Sequence, residues 1–136
     1  MRARTLLVAT AVALLAACAG VPRESDAERL ARYMDYAGDP VNDFHYFGRV
    51  DGWTPLGDDT LVLRVNMDEA YLLTLAPGCF DLPFASRIRI DSRFGTTVAR
   101  GDTVRVGRER CIITGIRPID YKQMRADLRA ARGERG

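Results

Sequence analysis

The chain has 136 residues, enough for one small domain, and carries 20 basic and 18 acidic residues. Two of the basic residues, Arg2 and Arg4, lie in a predicted N-terminal leader, so the rest of the chain is close to neutral. A near-neutral charge gives no support for a nucleic-acid-binding function. No stretch reaches the roughly 20 apolar residues that a transmembrane helix needs. We therefore expect one domain without a membrane-spanning helix.

Residues 1–17 have the pattern of an export signal, in which Arg2 and Arg4 precede about a dozen apolar or small residues. The segment that ends at Cys18, Leu-Ala-Ala-Cys, resembles a bacterial lipobox. The resemblance implies cleavage before Cys18 and attachment of a diacylglycerol to its thiol. The alternative is an ordinary signal peptide in which Cys18 is incidental. In Gram-negative lipoproteins an Asp after the cysteine favours the inner membrane. Ala19 therefore implies a lipid anchor on the periplasmic side of the outer membrane, with the inner membrane as the alternative.

Two cysteines remain once Cys18 is assigned to lipidation. Cys79 and Cys111 form an even pair in a compartment that would be oxidising, so we predict a disulfide between them. The alternatives are a metal-binding pair or two free thiols. The only histidine, His45, is distant in sequence and the chain has no C-x-x-C motif, so further metal ligands are not apparent nearby.

A tether of residues 18–24 precedes a predicted helix over residues 25–38. Ser25 and Glu28 have the spacing of a capping box, and Gly38 is followed by a proline that would stop the helix. Its apolar stripe consists of Leu30, Tyr33, Met34 and Ala37. We expect this stripe to dock on the main domain, and the alternative is that it rests on the membrane surface.

Over residues 40–118 the hydrophobic period changes to two residues, which predicts a β domain. The predicted strands are 44–50, 60–65, 70–75, 87–90, 97–99, 103–106 and 111–116. Residues 57–59 and 107–109 have the composition of hairpin turns. Such short strands are typical of a small antiparallel sandwich or barrel, and a closed barrel would leave no exposed edge.

Residues 119–136 are predicted to form a C-terminal helix and tail. Asp120 and Gln123 have capping-box spacing, and we expect Gly133 to end the helix. The apolar face consists of Tyr121, Met124 and Leu128. The fold class is therefore mainly β, with an N-terminal and a C-terminal helix.

The β domain combines Trp53, the run Tyr-Leu-Leu-Thr-Leu over residues 71–75, Cys79, Gly101-Asp102 and the run Cys-Ile-Ile over residues 111–113. This pattern, over about residues 43–118, resembles an uncharacterised family of small proteobacterial lipoproteins that is known as a domain of unknown function. The resemblance supports the envelope location and the disulfide. It implies no activity, substrate or catalytic residue.

The charges are distributed unevenly along the chain. Residues 24–69 carry 11 acidic and four basic residues, a net charge of −7, and residues 85–117 carry eight basic and three acidic residues, a net charge of +5. Strand alternation places Arg87, Arg89 and Arg105 on one face of the predicted sheet. Such a face would suit phosphates of lipopolysaccharide, anionic lipid or an acidic protein. The alternative is a solvated face that the acidic half of the chain balances.

Three further features have a structural and a functional interpretation. Trp53 is expected to fill the core or the end of a barrel, and the alternative is an exposed binding aromatic, so it joins the arginines as a candidate binding residue. His45 would need an orienting carboxylate and a nucleophile to act as a general base, and we expect it to be structural. The acidic pairs at residues 58–59 and 68–69 lack the spacing of a calcium loop and fit turns. We assign no catalytic residue, metal site or cofactor.

The first functional hypothesis is a membrane-anchored envelope lipoprotein that acts as a non-enzymatic interaction module. Its partners would be the membrane, through the lipid on Cys18, and an envelope protein or anionic envelope polymer, not nucleic acid. The alternative is a small-ligand-binding β-barrel domain with its pocket near Trp53. The third hypothesis is an enzyme that uses His45.

Overall fold

The fold is that of a computed structural model, and the structure describes residue 20 and residues 22–135. The predicted signal peptide and the predicted lipidation site at Cys18 lie outside the described residues. Two α-helices, α1 (Asp26–Met34) and α2 (Tyr121–Arg135), flank the strands, and a 3₁₀ helix spans Leu82–Phe84. The strands are β1 (Asp43–His45), β2 (Gly52–Pro55), β3 (Thr60–Arg64), β4 (Ala70–Leu75), β5 (Ile88–Asp91), β6 (Thr97–Ala99), β7 (Thr103–Val106) and β8 (Glu109–Ile119).

Six strands form one antiparallel sheet in the order β2-β3-β4-β8-β7-β5, and this sheet curls into a half-barrel. Strands β1 and β6 pair with each other in a separate antiparallel sheet. The prediction of a mainly β antiparallel fold with a helix at each end is confirmed. The large sheet does not close, so among the described strands β2 and β5 remain as its two edges.

The inner face of the half-barrel carries the main hydrophobic core. Alternate residues of each strand point into it, as the period of two requires. The core residues from the large sheet include Leu61, Leu63, Leu73, Leu75, Val104, Val106, Ile113 and Ile116. Phe44 and Val98 of the small sheet pack against this core, and the Phe44 ring stacks on the Tyr71 ring with 4.0 Å between centroids. The small sheet therefore covers part of the half-barrel.

The outer face carries a second, smaller core beneath the N-terminal helix. Its buried residues are Leu56, Val62, Ala70, Leu72 and Ile119. Leu30 and Tyr33 of α1 pack against it, so this helix docks on the domain as expected, whereas Met34 stays exposed. The predicted capping box is present, since the Glu28 N–H donates to the Ser25 hydroxyl over 3.2 Å.

The two ends of the domain are bound to each other. The Asp120 N–H donates to the Tyr36 carbonyl over 2.9 Å, and the Tyr36 hydroxyl donates to the Asp127 carboxylate over 2.7 Å. The capping box predicted for α2 is only half formed. The Gln123 N–H donates to Asp120 Oδ1 over 3.0 Å, but the Gln123 side chain bonds to Asp127 and the Asp120 N–H is already used by Tyr36. Met124 is the residue of α2 that is fully buried.

Several element boundaries differ from the prediction. The strand predicted over residues 44–50 is reduced to β1, because its partner β6 has only three residues to pair with it. Strand β3 ends one residue early and β5 is shifted by one residue.

Helix α1 ends at Met34 instead of residue 38, because the following residues pair with β8: the Gly38 N–H donates to the Pro118 carbonyl over 2.8 Å. Strand β8 accordingly extends from residue 109 to residue 119 and includes Pro118. Helix α2 passes through Gly133, which a helix tolerates at a cost of about 1 kcal/mol.

Strand β2 was not predicted as a strand. Glycine and proline weaken the strand pattern, but Pro55 lies on an edge strand, where a missing N–H costs no ladder hydrogen bond. The register pairs Trp53 with Leu63 of β3, so the indole belongs to the inner face.

The predicted disulfide joins Cys79 to Cys111, with 5.7 Å between their Cα atoms. It links the segment after β4 to β8, and both sulfurs are buried in the main core. Glu109 lies close enough to both sulfurs to suggest a metal cluster, but disulfide sulfurs are not thiolate ligands.

Candidate binding surface

A row of arginines crosses the outer face at one end of the large sheet. In the register, Arg89 of β5 lies opposite Arg105 of β7, and Arg105 lies opposite Arg110 of β8. Their neighbours along the strands point inward, so alternation directs the guanidinium groups outward. Together with Arg87, which immediately precedes β5, these residues form the surface that we call the arginine face.

Three of these residues were predicted from the sequence and one was missed. The alternation of arginine with isoleucine and valine predicted that Arg87, Arg89 and Arg105 share one face, and the register of β5 and β7 agrees with that placement. Arg110 was missed because the last strand was expected to begin one residue later. The inward position of Cys111 was the signal that would have placed Arg110 outward.

The arginine face is not covered by either helix. The helices pack over β3, β4 and the end of β8, where the second core lies. The Arg89 side chain is 71% exposed and that of Arg105 is 39% exposed. Arg87, Arg89 and Arg110 are therefore accessible to a partner, and Arg105 is partly so.

One carboxylate lies among these arginines. Asp91 Oδ1 accepts from Arg89 Nε over 3.2 Å, and Asp91 Oδ2 lies 3.1 Å from Arg105 Nη2. Solvent-exposed ion pairs of this kind contribute only about 0–1 kcal/mol. A single aspartate beside four arginines leaves the surface positive, so it can accept anionic groups.

A cleft of about 550 Å³ opens beside the arginine face. Its lining includes Arg87, Arg89 and Arg105, together with Phe84 of the 3₁₀ helix and Asp81 just before it. The Phe84 ring is 86% exposed. The cleft therefore combines several cationic groups with one accessible aromatic ring.

The wall that carries Phe84 is fixed to the domain at three points. Cys79 is bonded to Cys111, Leu82 is fully buried, and the Asp81 N–H donates to Glu109 Oε2 over 2.9 Å. The disulfide thus holds the wall of the cleft against β8.

Trp53 does not lie near the arginine face. It is half-buried on β2, at the opposite edge of the sheet, and packs against the main core on the inner face. The arginines lie on the outer face. The structure therefore places the four candidate binding residues at two separate locations.

His45 is exposed on β1, between the buried residues Phe44 and Tyr46. Its ring stacks with that of Phe47, with 6.5 Å between centroids. Within residues 22–135, no hydrogen bond joins its imidazole to a carboxylate or hydroxyl group. The catalytic hypothesis for His45 stays a prediction without an orienting partner.

A comparison with protein families gives one match, to a family of unknown function, DUF6491, over residues 1–135. The chain belongs to this family. The resemblance to an uncharacterised family is thereby confirmed. No curated protein and no solved structure is similar enough to this DUF6491 chain to count as a match.

In this DUF6491 protein, the arginine face and its cleft bring cationic groups and an exposed aromatic ring close together. This arrangement offers charged forks for carboxylate or phosphate groups and one aromatic contact. In the described part of the DUF6491 chain, no helix is both long and apolar enough to cross a membrane.

Proposed function

We propose that this DUF6491 protein is a membrane-anchored lipoprotein of the cell envelope that binds an anionic partner through its arginine face, without catalysing a reaction. The observation that carries the proposal is the uncovered row of four arginines beside a cleft. A surface that binds a partner must stay free of the chain's own elements, and this would explain why neither helix covers it.

The envelope location rests on the chain's first residues and on its cysteines. The lipobox resemblance at residues 15–18 supports a lipid anchor on Cys18, as in the proteobacterial lipoproteins that the β domain resembles. A disulfide is typical of an oxidising compartment such as the periplasm. Ala19 favours the periplasmic side of the outer membrane over the inner membrane.

The chemistry of the surface supports an anionic partner. Arginine binds carboxylate and phosphate in a bidentate manner, so both an acidic protein and an anionic envelope polymer are suitable. The small-ligand alternative moves from Trp53 to the cleft, whose volume falls within the usual range of roughly 300–1,000 Å³ for ligand sites.

The first prediction concerns crosslinking in intact cells. A photoreactive residue in place of Arg89 should give a discrete protein adduct or a smear that shifts on digestion of an envelope polymer. The same residue in place of Arg129, an exposed position on α2, is the matched control and should give neither.

Absence of any adduct specific to position 89 would overturn the proposed binding surface and leave the small-ligand alternative. The Cys18→Ala variant tests the anchor separately, because the chain should then leave the membrane fraction. A variant that stays in that fraction would contradict lipid anchoring at Cys18.

A further inference from the structure

The edge strand β5 has backbone groups that the sheet does not use. A two-residue turn, residues 107–108, joins β7 to β8. The residues that flank this turn, Val106 and Glu109, therefore exchange both of their backbone hydrogen bonds. Alternation then directs the N–H and C=O of Arg105 toward β5, where Arg89 is the partner. The corresponding groups of Ile88 and Ile90 point away from the sheet. In the described chain, neither isoleucine makes a backbone hydrogen bond outside the pairing with β7.

The side chains of β5 determine which charged residues an added strand could place opposite them. Directly opposite residues on neighbouring strands have Cβ atoms about 4.5–5.5 Å apart, and opposite charges at that distance attract. Residues facing Arg87 and Arg89 would therefore be acidic and two positions apart. The next residue on the same face would lie opposite Asp91, so an acidic group there would be repelled.

The other edge of the sheet does not offer this combination. Strand β2 contains Pro55, which lacks an N–H donor and blunts an edge against further pairing. Its flanking residues Asp51, Asp58 and Asp59 are exposed and acidic. An acidic segment would therefore be directed to β5.

We infer that an extended, acidic segment of a partner protein binds along β5 as a seventh strand of the sheet. This inference rests on the proposed function and names the partner class for the arginine face. Main-chain hydrogen bonds to Ile88 and Ile90 would provide affinity, and the arginines would select alternate acidic side chains. The exposed Phe84 ring lies beside the cleft, where an apolar residue of the segment would contact it.

The test uses the full, oxidised chain in detergent and synthetic peptides of about nine residues, in which two glutamates lie two positions apart and valine or threonine occupies the other positions. Two further peptides have the same charge but carry N-methyl groups on every second amide. One is methylated at the odd-numbered residues and the other at the even-numbered residues. Successive N–H groups of a strand point to opposite edges, so strand addition on β5 requires only one of these two sets of N–H groups. We expect one methylated peptide to lose at least about tenfold in affinity and the other to bind like the parent.

A charge-reversal variant tests the arginines in the same assay. Arg89→Glu should weaken binding of the parent peptide by at least about tenfold, whereas Arg129→Glu on α2 should leave it unchanged. Equal binding of all three peptides would overturn strand addition while leaving the arginine face as an anion-binding surface. Failure of every peptide to bind would also overturn the inference, and the crosslinking at position 89 would still decide the proposed function.

Discussion

Asp102 is the residue that fixes the turn between β6 and β7. Its carboxylate has no exposed surface, and it accepts hydrogen bonds from the Ala99 N–H over 2.8 Å and from Arg93 Nε over 2.9 Å. Burial raises the pKa of the Asp102 carboxyl, but the hydrogen bonds from Ala99 and Arg93 outweigh it and hold the pKa below its ordinary value. The ionised form therefore stabilises the folded chain.

The second prediction concerns this carboxylate. Asp102→Asn should lower the free energy of unfolding at neutral pH by about 1–3 kcal/mol. The reason is that the NH₂ group of asparagine would face an N–H donor at a position where a carboxylate oxygen now accepts a hydrogen bond. Since the pKa is depressed in the folded state, the contribution is present above the unfolded pKa of about 3.9 and is lost as the pH falls through the folded value.

Urea unfolding of both proteins between neutral pH and the acid range measures this difference. The gap between the wild-type chain and the variant should narrow below about pH 4. Arg93, which is largely exposed, provides the comparison: Arg93→Ala removes one donor but leaves the Ala99 contact, so its effect should be smaller. A gap that is the same at every pH would contradict the role of the ionised carboxylate.

At the residue scale, the direction of a side chain was predictable from strand alternation. The contacts of a side chain with residues distant in sequence were not predictable. The outward direction of Arg89 and Arg105 follows from a period of two within a short segment. The ion pair between Asp91 and Arg105 depends on the pairing of two strands that are separated by β6. The buried contacts of Asp102 depend on how the chain folds back between those strands, and the residue types alone did not indicate them.

At the scale of elements, α2 packs through a narrow contact. Met124 is buried and Tyr121 is half-buried, but Leu128, one turn beyond Met124 on the same predicted stripe, is 36% exposed. The contacts with the domain therefore lie in the first two turns of the helix, where Arg125 also bonds to Asp68 and Asp127 to Tyr36.

The third prediction follows from this difference. Met124→Ala should lower the free energy of unfolding by about 2–5 kcal/mol, because it empties a filled position. The matched variant Leu128→Ala, on the same helix, should change it by about 0.5 kcal/mol or less. Chemical denaturation measures both, and equal losses in the two variants would show that the helix packs along its full length.

The elements themselves were mostly predictable because each has a local pattern. The strands that became β4, β6 and β7 have the expected bounds, since hydrophobic alternation and turn residues delimit them. Strand β2 was missed because glycine and proline obscured its pattern. Helix α1 was predicted too long. Residues 37–38 pair with β8 instead of continuing the helix, and a pairing between distant segments cannot be read from the local pattern.

At the scale of the whole molecule, the charge asymmetry of the sequence becomes a division in space. The acidic segment forms α1 and the strands at the β2 edge, and the basic segment forms the arginine face at the β5 edge. The sequence predicted two charged halves. It did not predict an open sheet, because closure depends on whether the first and last strands of the sheet can meet, and local periodicity carries no information on that.

The fourth prediction concerns the crosslink between the halves of the chain. Replacing both Cys79 and Cys111 with alanine should lower the free energy of unfolding by about 3–4 kcal/mol, by the chain-entropy estimate for a separation of 32 residues. Denaturation of the wild-type chain with and without a reductant provides the control, and reduction should cause a loss of similar size. No loss in either experiment would show that the fold does not depend on the bond.

The same disulfide has a consequence for when the protein becomes able to bind. It fixes the wall that carries Phe84 to β8, so we expect the cleft to keep its described shape only once the two thiols have been oxidised. In a reducing cytoplasm the newly made chain would keep both thiols, and the wall would be held by Leu82 and Asp81 alone. Under the proposed function, binding competence would then be acquired on export, and the precursor would not capture acidic proteins at its site of synthesis.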